Sequence, residues 1–415
     1  MYVLQFPSGS GAALVSTRIN YNANYATVYL RDNTAQIGLQ VFCDASTDWT
    51  KLVPNWTQII NMPHPEKQVN YAILNKNLID INYIEDRMNL NKSVIPLSST
   101  VRSIAHRGDD KYAPQNTAPS YILARKHGYT IMENDLDVSE DGELIMWHDN
   151  TLSRLGNLVD INGYLMYTDG ELYYYVNPVD NAVYTWDGAE YVESAASLAS
   201  LTRCAGANYG CNSNHADVIG LPLSILKRID FGVYKGGQFY GTQILTFEEW
   251  TMLCKQLGTE MYIDKKLTYT TELLTAAANI VKKYGMGEFA SWIGLSGEQI
   301  GFLREIIPGA RCGILQHPTA ETVVSYAPLN TGRGFFFNGD ASNGMTSTAI
   351  QLGLNAGFQV EVWYVEYGNA TKAQILSNIR TAISYGVTGI TTDHYRAEEA
   401  YNTMMEQYDY PDKVL

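Results

Sequence analysis

The stretch VRSIAHRGDDKYAPQNTAPSYILARKHGYTIMENDLDV (residues 101–138) decides the fold. VRSIAH is a short apolar run and reads as a strand. TAPSYILARKHG reads as a helix that stops at Gly128, a residue suited to a helix C-terminus. YTIMENDLDV is a strand again. Strand, helix and strand in this order make a βαβ unit, which places its two strands in parallel.

The alternation continues toward the C-terminus. Strands followed by helices are predicted at 102–105, 131–136, 261–265, 290–294, 312–315, 334–337, 359–364 and 388–392. TFEEWTMLCKQLG (246–258) illustrates the helices, with Thr246 as its N-cap. Further helices are expected at 297–306, near 319–325, at 346–356 and at 371–385. Eight βα units predict an α/β chain folded as a TIM (β/α)8 barrel, with its chemistry at the C-terminal ends of the strands.

The pattern breaks between about 156 and 222. GYLMYTDGELYYYV and AVYTWDGAEYVE each centre on an Asp-Gly pair between aromatic strand residues, which reads as two hairpins and a loose internal repeat. A small aromatic β-insertion at 158–222 is expected. Its rings could meet a sugar or polymer; the plainer reading is that they hold a small sheet together. Residues 1–98 form a separate β-rich unit and linker, with strands in TRINYNANYATVYLRDN and AQIGLQVFCD, then a helix or linker in LIDINYIEDRMNLN. The barrel then occupies 99–157 and 223–415.

Composition narrows the function. The 415 residues are 46% hydrophobic and 17% charged, as in a folded protein. The net charge of −14 argues against a nucleic-acid partner, which needs a basic face. Cys43, Cys204, Cys211, Cys254 and Cys312 are few, odd in number and without metal-type spacing, so they read as reduced. The N-terminal segment has no basic-then-apolar pattern of a signal peptide, and no apolar run is long enough to suggest a membrane span.

The chemistry concentrates in AHRGDDKYAPQNT and MENDLDVSEDGELIMWHDNTLSR. Glu133 and Asp135 stand two apart on a strand and share a face. Such carboxylates repel unless a cation sits between them. A two-residue turn at Asp141-Gly142 would put His148 directly opposite Asp135, with Cβ atoms roughly 4.5–5.5 Å apart. His106 ends the first barrel strand at the rim, and Arg107 beside it offers a fork for a phosphate. Asp137 reads as a hairpin residue. Asp149 could orient His148 or Arg154. His394 is at a rim position but reads as solvent-exposed.

In order, His106-Arg107-Gly108, Pro114-Gln115-Asn116-Thr117, Glu133-x-Asp135, Asp141-Gly142 and His148-Asp149 resemble the glycerophosphodiester phosphodiesterase family. LKRIDFG, ILTFEEW, YIDKK, the Trp363 strand and GVTGITTD continue the resemblance, which covers 98–156 and 223–400 and neither addition. It implies a metal-dependent TIM barrel that cleaves glycerol-linked phosphodiesters. By position it makes Glu133, Asp135 and Asp264 ligands of one divalent cation. It makes His106 and His148 the general acid/base pair, puts Arg107, Lys266 and Asn116 with the substrate phosphate, and Trp363 at the glycerol. Gln115 stands where the family has Glu, and Asp264 is one methylene shorter than the family's Glu. An all-oxygen ligand set suits Ca²⁺ or Mg²⁺.

The two additions point beyond a small substrate. The expectation is a hydrolase of a glycerol-phosphate polymer such as wall teichoic acid, carried as a homo-oligomeric bacteriophage tail protein that contacts other tail proteins through residues 1–98. Rival expectations are a non-catalytic receptor-binding or structural tail protein and a cytoplasmic housekeeping enzyme for small glycerophosphodiesters.

Overall fold

The structure is a computed structural model. It describes residues 101–209, 218–265, 270–343, 346–366 and 370–393, together with strands β1 (Ala13–Ser16), β2 (Tyr25–Arg31) and β3 (Gln36–Phe42). Those three strands form an antiparallel sheet in the order β1-β2-β3. The helix or linker expected in LIDINYIEDRMNLN lies outside the described residues.

Eight parallel strands close into a barrel: β4 (Arg102–Ala105), β5 (Ile131–Ser139), β13 (Glu260–Lys265), β14 (Ala290–Ile293), β15 (Arg311–Ile314), β16 (Phe335–Asp340), β17 (Gln359–Trp363) and β18 (Gly389–Thr392). Closure is made by β18 on β4 and β4 on β5. This is the TIM barrel that the βα count predicts. The helices begin and end on local chemistry. Thr246 and Glu249 cap the helix Phe247–Leu257 reciprocally, and Gly258 ends it at φ +62°.

Side-chain alternation sorts the strands into two cores. Ile104, Ile131, Tyr262, Ile293 and Phe336 meet inside the barrel. Met132, Leu136, Met261, Trp292 and Phe335 face outward and pack beneath the helices. Below the inner layer, buried Glu361 accepts from Arg311 and Tyr262, each at 2.7 Å. The inward residues one step above it, at the strand ends, build the site.

Past the barrel wall, β5 continues into a hairpin with β6 (Leu144–Met146) and pairs with β12 (Val218–Ile219). The aromatic segment forms an antiparallel sheet in the order β10-β9-β8-β7-β11, from β7 (Leu165–Thr168), β8 (Tyr173–Val176), β9 (Val183–Trp186), β10 (Tyr191–Glu193) and β11 (Thr202–Arg203). Its turns are longer than two residues, since Thr168 pairs Tyr173 and Trp186 pairs Tyr191. In each turn the Asp carboxylate caps two backbone N–H groups, Asp169 those of Glu171 and Leu172, Asp187 those of Ala189 and Glu190. The sheet does not stand alone. Met166, Tyr175 and Cys204 share one core with barrel-side Trp147, Leu226, Ile229 and Phe231. Asp160 and Arg228 lock the junction with a buried ion pair at 2.7 Å.

Candidate active site

The end of β4 sets the site's geometry. His106 follows Ala105, and its backbone N–H bonds Thr392 at 3.0 Å. Arg107 then turns at φ +55° and Gly108 at φ +82°. That reversal aims the Arg107 N–H at Glu133, 2.7 Å away. Gly108 is required twice, because a Cβ there would also lie 2.4 Å from Ser120 Oγ on the following helix (Ala118–Lys126).

Parallel register assembles the carboxylates. Tyr262 pairs Glu133, and Asp264 pairs Asp135, across β13 and β5. Glu133, Asp135 and Asp264 each offer an oxygen, and these lie within 4.8 Å of one another. Glu133 and Asp135 are buried. Burial, then the neighbouring Asp135, pushes Glu133 up to about 8; Asp264 adds to this and His106 opposes it. Three clustered carboxylates in a concave site are the donor set of a hard divalent cation, whose charge removes their mutual repulsion, so the residues fit a metal.

One cavity of about 440 Å³ holds the rest: His106, Arg107, Glu133, His148, Asp264 and Trp363 all line it. Each His is tied by Nδ1 to a carboxylate. His106 lies 2.5 Å from Asp393, and His148 lies 2.8 Å from Asp149. Burial alone would lower His106, but Asp393 prevails and raises it to about 9. Asp149 is gripped by Arg154 through two bonds, 2.8 and 3.0 Å. Against burial, the bonds from His148 and Arg154 hold the Asp149 carboxyl below the usual range, so it stays ionised.

One expectation needs correcting. The turn after β5 has three residues, 140–142, since Ser139 bonds Glu143 and Val138 pairs Leu144. Gly142 takes φ +86°, and Asp141 accepts from Ser139 Oγ at 2.5 Å, which accommodates the extra residue. Trp147 therefore lies beside Asp135, its N–H 3.2 Å from the Asp135 carbonyl, and His148 enters the cavity only after the ladder ends. Asn116 does not line the cavity. It is 1% exposed at φ +56°, donates to Asp135 at 2.8 Å and accepts from Tyr121 at 2.9 Å, so it positions a carboxylate. The Arg107 guanidinium points at Asp135 (2.9 Å) and Gln115 (2.8 Å), so it compensates the acidic cluster. Lys266 and His394 lie outside the described residues. Asp393 and Glu366, which sequence reading missed, line the cavity from the last two barrel strand ends, and Glu366 accepts the Asp393 N–H at 3.1 Å. The signal was GITTD itself, whose Asp occupies the same rim position as His106.

Residues 106–290 match the glycerophosphoryl diester phosphodiesterase family. A Bacillus subtilis glycerophosphodiester phosphodiesterase is 40% identical over 57 residues, which is 14% of this chain and 20% of that protein. Human glycerophosphodiester phosphodiesterase 1 is 38% identical over 65 residues, 15% of this chain and 20% of the relative. The aligned stretch thus spans about one fifth of these relatives' length. Two solved structures share the fold. One is a phosphodiesterase from Oleispira antarctica in complex with the product sn-glycerol-3-phosphate, with TM-score 0.50, 17% identity, and 72% of this chain and 96% of that one covered. The other is a glycerophosphoryl diester phosphodiesterase from Parabacteroides distasonis, with TM-score 0.50, 13% identity, and 79% and 93% covered.

Proposed function

From the match of residues 106–290 to the glycerophosphoryl diester phosphodiesterase family, we propose that the chain hydrolyses glycerol-linked phosphodiesters. The observation that carries this is an acidic triad, two of whose members, Glu133 and Asp264, line one cavity with two carboxylate-held histidines. A phosphodiester is a poor electrophile because its charge repels an incoming oxygen. A divalent cation held by Glu133, Asp135 and Asp264 would offset that charge at a non-bridging oxygen. The three-carboxylate oxygen set favours Ca²⁺ or Mg²⁺.

The chain's own residues supply the proton transfers. Asp393 and Asp149 hold one ring nitrogen of each His and leave the other for substrate. His106, raised to about 9, is protonated at neutral pH and delivers its proton to the leaving alkoxide. His148 takes the proton of the attacking hydroxyl or water. Arg107 lines the same cavity and would offer its fork to the phosphate. Trp363, which lines the cavity, packs against the glycerol carbons.

Nothing in a barrel for small diesters calls for an aromatic sheet or a further β-rich unit. Both suit a polymeric substrate with the same linkage, poly(glycerol phosphate) of a wall teichoic acid. They also suit a role in a phage tail, with residues 1–98 contacting other tail proteins or further copies. The test is release of glycerol phosphate from poly(glycerol phosphate), with glycerophosphocholine as the small comparator and His106→Ala and His148→Ala as controls. Turnover of both, lost in both variants, is expected. Turnover of the small diester alone removes the polymer reading, and activity retained in either variant removes the catalytic one.

A further inference from the structure

A second cleft lies outside the catalytic cavity and shares no lining residue with it. Its volume is about 1110 Å³, room for several linked rings rather than one small ligand. The two Asp-Gly turns of the internal repeat form one wall, and the segment around the short helix Leu223–Leu226, with Gln243, forms the other. The repeat is thus spent on one concave surface.

The wall is aromatic and braced. Tyr164 and Tyr191 lie 4.5 Å apart, and Trp186 meets Tyr191 edge-on at 5.2 Å. The Arg228 guanidinium sits 3.8 Å over the Trp186 ring and is anchored by Asp160. Rings held by one another and by Arg228 are preorganised, so a ligand meets them at little further entropic cost. Leu172, 56% exposed, extends the apolar surface at the mouth.

The charges select the ligand. Glu171, Asp187 and Glu190 ring the mouth as exposed carboxylates. Bonds from the Glu190 and Ala189 N–H groups hold Asp187 below the usual carboxyl range, so it stays ionised. The two cations of the opposite wall are engaged within the protein, Lys227 by Glu249 and Arg228 by Asp160. A polyanion would meet net negative charge here. A neutral, hydroxyl-rich chain would meet what it needs: ring faces for its C–H surfaces, and exposed carboxylates for its hydroxyls.

We propose that this cleft is a binding site for an uncharged glycan, a chain of pyranose rings, distinct from the phosphodiester site. It holds the barrel against a glycan-bearing surface without taking part in hydrolysis. The test is calorimetric titration of the full chain with chitohexaose, cellohexaose and maltohexaose, with poly(glycerol phosphate) as the charged comparator. One or more neutral oligosaccharides should bind saturably. Trp186→Ala should weaken that binding about tenfold or more. Ala189→Arg, at an exposed turn position that leaves the ring cluster intact, should block the cleft and do the same should Trp186→Ala disturb the sheet. Turnover of glycerophosphocholine should stay within about twofold of wild type in Ala189→Arg. No saturable binding by any of the three, equal binding by Ala189→Arg, binding of poly(glycerol phosphate) alone, or loss of small-diester turnover in Ala189→Arg would each overturn the proposal. The glycerophosphocholine arm with unmodified chain reports on the catalytic reading separately.

Discussion

The His106 Nδ1 lies 2.5 Å from Asp393 Oδ1, a link between the first and last barrel strands across a sequence separation of 287 residues. It joins the closure of the barrel to the protonation of a single imidazole. Asp393 is a positioning residue: it fixes which nitrogen of His106 faces the cavity and stabilises the charged ring.

Replacing Asp393 by Asn should lower kcat by about 10²–10⁴-fold with a smaller effect on KM. The direction in pH follows from the shift. Asp393 raises His106 to about 9, so its loss returns the ring toward 6.5 or below. If protonated His106 is the acid, the alkaline limb of the kcat profile moves down by about two units. A profile that keeps its alkaline limb while kcat falls would show that Asp393 acts by another route.

Cation binding should strengthen with pH. Glu133 is raised to about 8, so below that value a proton must leave as the cation enters. Affinity for Ca²⁺ or Mg²⁺, measured by calorimetry in buffers of different ionisation enthalpy, should rise up to about tenfold per pH unit toward pH 8 and then level off. Asp264→Ala should lose the ion while the fold persists. Removal of metal by a chelator should abolish turnover, and the added ion should restore it.

Arg154 grips Asp149 with two bonds, and Asp149 holds His148. Arg154→Ala should leave the acidic triad and its cation affinity unchanged. It should reduce kcat by about tenfold, because His148 loses orientation rather than identity. Arg154→Lys should recover only part of this, since one ammonium cannot reproduce the fork. An effect on KM alone would place Arg154 in substrate binding instead.

Gly108→Ala should destabilise the barrel by on the order of 2 kcal/mol or more, through a left-handed backbone and a Cβ driven against Ser120. Chemical denaturation reads this directly. Because the same turn aims the Arg107 N–H at Glu133, cation affinity should fall with it.

Much of this protein is written locally. Alternating strand and helix signals from residue 101 onward specify the barrel, since each βα unit buries its apolar face only by packing on the next. The alternation on β5 puts Glu133 and Asp135 on one face, and period-2 geometry allows no other outcome while the strand holds. The aromatic Asp-Gly hairpins were legible for the same reason, though their turn lengths were not. Tertiary structure alone decided the rest. A one-residue change in a turn moved His148 away from its expected partner, because register depends on how Ser139, Asp141 and Gly142 satisfy one another in three dimensions. Barrel closure alone brought Asp393 to His106, and parallel register alone set Asp264 beside Asp135. Local sequence encodes which way a side chain points; contacts between residues hundreds of positions apart exist only once the chain has closed on itself.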